Sequence, residues 1–357
     1  MTKTVYIHIG HFKTGTTALQ VFFKHNATVF AREGLLYPDV LELNAKHSAL
    51  AYSLYREAGV DTLLHGYDLP DHPAELWEGL FDHIRNAPQP ATLISTEEFM
   101  RLGAHPGAEA LLRQIIAQET DLDFRIIAYL RPPRGHTRSW YNQLVKMRLP
   151  VGDFNTTLRS GMESVHLDYS AAIRPWVDIF GADRVILRPF EERLRNGSAL
   201  YDDFLAAIGH PMPQDVKLPQ SDPNPRIDDQ VLEIVRLYRN AGFPKPLIRQ
   251  SIERALAYFA SEEARLPPDS PDFDALLETS RTGLEGLRDL PGNGVDLERF
   301  MNDLPEPEDD RSLAHTRQIG FLMNEIMDLH MRLRKSLPAL ERRIKALEKK
   351  EPGKAAE

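Results

Sequence analysis

The chain has 357 residues, 43 Lys+Arg against 52 Asp+Glu for a formal charge of −9, and no Cys. The missing Cys excludes a disulfide scaffold, a Cys-ligated zinc site, an iron–sulfur cluster and a thiol nucleophile. A hydrophobic fraction of 42% with 27% charged residues is that of a globular chain, long enough for one large core or two ordinary ones, and the acidic balance argues against nucleic-acid binding.

The predicted elements begin with a β-strand at 4–9, too short for a signal-peptide core or a membrane span. No later window holds eighteen apolar residues, so a cytoplasmic protein without a span is expected. A turn at 10–15 leads into a helix at 16–32, with Leu19, Phe22, Phe23 and Val29 on its buried side and Gly34 closing it. Helical patterns follow at 47–58, 73–86 and 107–118. Further strands are expected at 91–95, 124–130 and 184–188. This alternation predicts the α/β class, a parallel sheet covered by helices.

After residue 208 the prolines at 211, 213, 219, 223 and 225 mark an irregular connection. Helices are expected at 227–241, 246–264 and 273–288, then an acidic, Pro-rich linker at 302–310 and a long helical pattern at 312–350, interrupted at Pro338. The expected division is an α/β core at 1–215, a helical part at 216–310 completing the cofactor and acceptor site, and an amphipathic tail at 311–357. Leu337, Leu340, Ile344 and Leu347 step by three, four and three, as in a short coiled-coil seam, so a homodimer through the tail is one reading and packing on its own domain the other.

Two segments carry chemistry. Gly10–Thr17 (GHFKTGTT) lies between a strand and a helix, where backbone N–H groups and a helix N-terminus meet an anion. Its Gly10-x-x-x-x-Gly15 spacing matches the first half of the nucleotide triphosphate loop. Thr16 stands where that loop has its Lys, and the loop's own Lys is Lys13. An amine at that place sits beside a transferring group at the ligand's 5′ end. The second segment starts at Arg131, on the C-terminal end of a strand, where open α/β sheets bind ligands. Ser139 lies eight residues on, and a guanidinium and a hydroxyl converging there suit a phosphate monoester. Arg134 and Arg138 either support that site or are solvated, Trp140 reads as core, and Lys146 as facing cofactor or acceptor.

Together these segments resemble the sulfotransferases that use 3′-phosphoadenosine 5′-phosphosulfate (PAPS). Lys13, Thr14, Gly15, Thr16 and Thr17 match the family's 5′-phosphosulfate loop, and Arg131 with Ser139 its 3′-phosphate pair. GLLYP (34–38), LISTEEF (93–99), SWYNQLVK (139–146), VILRPFE (185–191) and DFLAAIG (203–209) look like the bacterial carbohydrate-type branch, and the resemblance covers roughly residues 3–240. It implies a phosphate-loop-like sulfotransferase fold with a helical C-terminal extension. It also implies PAPS as co-substrate and a carbohydrate or other small hydroxylated acceptor. There are departures: Phe12 replaces a Pro, Ala18 stands where cytosolic members often have an adenine-stacking Trp, and the late R-K-G loop is missing. Asn224 and Arg226 are taken as its replacement near the 3′-phosphate.

The resemblance places the catalytic base just past the strand ending in LIS. Glu97 stands there, with Glu98 and His47 as competitors. Lys13 donates to the bridging oxygen. No metal is expected, because the 13 His are scattered without ligand spacing. Two other classes compete: a phosphate-loop small-molecule kinase, and a non-catalytic nucleotide-binding or assembly module.

Overall fold

The computed structural model describes residues 2–41, 44–64, 67, 72–219, 227, 229–260, 274–291, 294–305 and 311–348. The chain divides into two compact units, one of residues 1–227 with 272–306, the other of 228–271 with 307–357. Residues 272–306, grouped by sequence with the helical part at 216–310, thus belong to the first unit.

The first unit is built on five strands: β1 (Lys3–His8), β2 (Leu35–Leu36), β3 (Ala91–Ser95), β4 (Leu122–Leu130) and β5 (Val185–Pro189). Their order is β2-β3-β1-β4-β5, and every neighbouring pair is parallel. Such a sheet buries both faces, and the period of two sends alternate side chains to opposite layers. Ile126, Ala128 and Leu130 of β4 join a core with Trp77, Phe99 and Trp176, while Ile127 and Tyr129 join one with Phe22, Phe23, Phe30 and Phe204. β2 was not expected; two residues give no periodicity to read.

The covering helices are α1 (Thr16–His25), α2 (Ala27–Arg32), α3 (Ser48–Glu57), α4 (Pro73–Asn86), α5 (Pro106–Ile116), α6 (Pro133–Lys146), α7 (Phe154–Ser160), α8 (Tyr169–Phe180) and α9 (Ala199–Ala207). The second unit holds α10 (Asp229–Asn240) and α11 (Lys245–Ala260). The chain returns to the first with α12 (Asp274–Glu285) and α13 (Leu297–Met301), then runs back to the second as α14 (Arg311–Glu348).

The single helix expected at 16–32 is two. Buried Asn26 stands at the break, its amide donating to the Phe22 carbonyl (2.8 Å) and to the Lys217 carbonyl (3.0 Å), and its Oδ1 accepting from Lys217 N–H (2.7 Å). A side chain that bonds nearby backbone competes with the helical ladder. The turn re-aims α2, so Phe30 is buried and Val29 only half-buried. Pro338, by contrast, does not end α14; the helix continues through it with one ladder bond lost.

A 3₁₀ stretch, Glu97–Ala104, carries the chain away from β3. Phe99 packs edge-on against Trp176 of α8 (5.2 Å), and Gly103 lies so close to α8 that an added Cβ would stand 1.9 Å from the Ala171 carbonyl oxygen. Only a shift of backbone relieves such a clash. Gly103→Ala is therefore expected to cost about 1–3 kcal/mol or more, read as a lower urea midpoint; an unchanged midpoint contradicts this packing.

Candidate active site

β1 lies between β3 and β4, with His8 opposite both Ser95 and Ile127. Because all three run the same way, the segments that follow them leave from one edge of the sheet. They are Gly10–Gly15 after β1, Glu97 after β3 and Arg131 after β4. Open parallel sheets bind ligands at that edge.

The loop after β1 needs close approaches. Gly10 has φ 69°, and a Cβ there would lie 3.0 Å from Glu97 Cβ and 3.1 Å from its Cα, so the missing side chain lets the β3 segment press on the loop. Gly15 has φ 77° and is backed by Leu200 and Phe190. Lys13 also lies in the left-handed region, at φ 69°, where a residue with a Cβ is strained by about 1–2 kcal/mol. Buried Thr14 steadies the turn by donating to the His11 carbonyl (2.5 Å). Thr16 is buried and Thr17 half-buried at the start of α1.

Helices α7, α8 and α13 are capped by Asp153, Asp168 and Asp296, each accepting from a first-turn N–H. α1 and α6 start after Gly15 and Pro132 with neither a side-chain cap nor an acidic residue in the first turn. Such an end leaves backbone donors and the positive end of the dipole for an outside anion at α1, whereas at α6 Pro133 has no N–H and the Arg134 N–H is taken by the Asp303 carbonyl (3.0 Å).

Arg131 turns back over α6, its guanidinium within 3.0–3.4 Å of where a Gly135 Cβ would stand. Ser139 is buried one turn further along the same helix face, which brings the two sequence-predicted groups to one side. Lys13 reaches this helix as well, with Nζ 3.3 Å from Gln143 Oε1. Gln143 is a contact that sequence reasoning did not single out. Arg134 is used otherwise: its backbone N–H bonds the Asp303 carbonyl (3.0 Å) and its Nε the Leu304 carbonyl (3.4 Å). Arg138 lies over the Phe154 ring. Trp140 is core, as expected, and Lys146 is half-buried. Asn224 and Arg226 lie outside the described residues. Ile227 exchanges two hydrogen bonds with the Asn142 side chain, three residues beyond Ser139 (2.7 and 3.2 Å).

The three candidate bases differ sharply. His47 is fully buried and both ring nitrogens are engaged: Nδ1 accepts from Ser95 N–H (3.1 Å) and Nε2 donates to the Pro38 carbonyl (2.9 Å). Glu98 is buried beneath donors from Lys46, Thr96, Ser48 (3.0 Å) and Tyr52 (2.9 Å). Burial alone would raise its pKa, but the Lys46 charge and these hydrogen bonds bring it down to about 2. Glu97 keeps an exposed edge. Its Oε2 accepts from Gln20 (3.0 Å) and its Oε1 from Lys46 (3.3 Å), and its backbone rests on Gly10. Lys46 and Gln20 were missed because neither stands at a telling distance from Glu97 in sequence. Lys46, against the cost of its own burial, is held charged by Glu97 and Glu98.

Three of the His that read as scattered meet behind the loop. His11, His136 and His166 are all buried, each offering a ligand atom within 4.8 Å of the others. His11 stacks on His136 at 3.6 Å and 29°, His136 meets His166 at 5.2 Å between ring centres, His166 stacks on Trp140 at 4.5 Å, and Phe12 lies against Trp140 at 4.4 Å. His136 Nε2 and His166 Nδ1 share a hydrogen bond at 3.0 Å, so the cluster ties α6 to the 164–166 turn behind the loop. Burial keeps these imidazoles uncharged: His11 falls to about 4, opposed only by the Val165 carbonyl, and His136 and His166 lie well below the usual range. His8, buried under Phe204, falls to about 3.

These shifts set a pH dependence. The unfolded chain protonates these His below 6.5 while the fold does not, so stability drops as pH falls from 6.5 toward 4 for His11 and 3 for His8. Each site contributes up to about 1.4 kcal/mol per pH unit. Glu98 acts lower: its contribution is complete above 4.5 and is lost as pH falls through about 2. Urea midpoints are expected to be lower at pH 5 than at pH 7, and equal midpoints contradict an uncharged buried cluster.

No protein-family model and no curated protein sequence matches the chain. Three solved structures similar to it are sulfotransferases or sulfotransferase domains. One, from Alicyclobacillus acidocaldarius, is 18% identical with a TM-score of 0.42, over 70% of this chain and 100% of that one. The sulfotransferase domain of the Synechococcus PCC 7002 olefin synthase is 14% identical with a TM-score of 0.35, over 74% and 96%. The sulfotransferase domain from the curacin biosynthetic pathway is 10% identical with a TM-score of 0.36, over 73% and 99%. Among the described residues no helix is long and apolar enough to cross a membrane.

Proposed function

We propose that the chain is a sulfotransferase that moves a sulfuryl group from PAPS to a hydroxyl or amine acceptor by in-line displacement. One observation carries this reading. The loop with its Lys at position 13 is flanked, at neighbouring strand ends, by the Arg131/Ser139 pair on one side and the Glu97 carboxylate on the other. A donor with separate 5′ and 3′ anionic groups fits the uncapped α1 N-terminus, an amine and a guanidinium better than a linear triphosphate does. PAPS when bound supplies the sulfuryl group, joined through oxygen to its 5′-phosphate.

In this reading Thr14, Gly15, Thr16 and Thr17 hold the 5′-phosphate through backbone and hydroxyl donors, and Arg131 and Ser139 take the 3′-phosphate, with Arg226 as a further candidate. Glu97, oriented by Gln20 and Lys46, accepts the acceptor's proton as its oxygen bonds to sulfur. The sulfur–oxygen bond to the 5′-phosphate breaks, and Lys13 neutralises the departing phosphate oxygen. Glu98 and His47 build the wall behind the base. The left-handed backbone of Lys13 agrees with a role in chemistry, since strain of that kind collects at functional positions. A carbohydrate or other small hydroxylated metabolite is the proposed acceptor, on the resemblance alone.

Calorimetry tests the donor: adenosine 3′,5′-bisphosphate is expected to bind more tightly than ATP or ADP, and tighter ATP binding favours the kinase reading. Arg131→Ala is expected to reduce the preference for 3′-phosphorylated over 3′-dephosphorylated nucleotide by about 10–100-fold; an unchanged ratio removes Arg131 from the site.

Turnover tests the chemistry, with labelled PAPS and a mass-spectrometric acceptor screen. Glu97→Gln is expected to lower kcat by about 10²–10⁴-fold, and Lys13→Ala by about 10²–10³-fold with a smaller change in nucleotide affinity. Unchanged turnover in Glu97→Gln moves the base elsewhere.

A further inference from the structure

The second unit leaves one long apolar stripe uncovered. On α14, Ile319, Leu322, Ile326, Leu329 and Leu333 step by three, four, three and four, and Leu337, Leu340, Ile344 and Leu347 by three, four and three. All nine are 41–66% exposed. The spacing slips once, by four, between Leu333 and Leu337, next to Pro338. That slip keeps the stripe straight: Leu337 falls about five full turns after Ile319, and the nine positions share an arc of about 80°.

The width of the arc bears on what covers it. A helix facing the core of its own domain carries an apolar stripe of about 100° or more, while a two-stranded coiled coil needs only the narrower seam. α14 also has a separate inward face. Phe321 is fully buried, about 120° round the helix from the middle of the stripe, and Glu325 pairs with Arg254 of α11 at 2.7 Å. The stripe runs about 43 Å, two heptads before the slip and about one and a half after it, and an insertion of this kind unwinds a coiled coil locally without ending it. A seam with this repeat is complementary to a copy of itself, since each knob meets a hole made by the same residues.

We infer that this stripe is the seam of a coiled coil with a second copy of the chain, making the protein a dimer joined by its C-terminal helices. Sedimentation equilibrium of the full chain at tens of micromolar is expected to give twice the 40.6 kDa chain mass. Leu340→Glu with Ile344→Glu places charge in the seam at exposed positions and is expected to halve the measured mass. Met327→Glu, at an exposed position off the stripe, is expected to leave the dimer intact. A wild-type chain that sediments at its own mass overturns the inference, as does a dimer that survives the seam substitutions or is lost in Met327→Glu. Nucleotide affinity is a separate readout, which neither variant is expected to move.

Discussion

β1 has a parallel neighbour on each side, and the rest of the first unit depends on that constraint. In-register pairing with β3 and β4 fixes the places where three separate stretches of chain leave the sheet. The pairing also sets their spacing, because adjacent strands stand about 4.8 Å apart. A loop rich in donors, a carboxylate and a guanidinium become neighbours without any long reach by their side chains. Helices pack both faces and hold the sheet, but no helix could substitute for the register.

Charge around that edge is balanced locally. Glu98 and Lys46 form a pair with little exposure, supported by Tyr52, Ser48 and Thr96, and Lys46 still extends to Glu97. An unpaired buried charge is costly, so removing one partner damages more than removing both. Behind the loop, uncharged imidazoles fill space that protonated ones could not occupy beside Arg131. The chain's net acidity says nothing of this. Its first 32 residues and residues 125–148 hold Lys and Arg but no acidic residue, and those windows carry the loop and the Arg131 segment.

Much of this was legible in the sequence where the cause is local. β1, β3, β4 and β5 are short β-branched runs beside helical patterns, and Gly10 to Thr17 and Arg131 announce themselves by type and position. What was not legible depends on distant partners. Asn26 breaks a helix through Lys217, 191 residues away. His11, His136 and His166 meet only because α6 and the 164–166 turn fold over the loop. Lys46 precedes His47 in a stretch where the His drew attention; the fold gives the His to the backbone and the Lys to the carboxylates. Glu97 and Glu98 are adjacent and chemically identical. They part only through burial, one facing an open edge and the other a closed set of donors.

The backbone at position 13 separates two demands on one residue. A glycine or asparagine would be more comfortable at φ 69°, so local conformational preference works against the lysine there. Selection for thermal resistance alone would let position 13 drift toward glycine, and the amine would disappear while the fold improved. In the proposed transfer the amine is what position 13 contributes, and the loop would then be a small, local case of stability exchanged for activity.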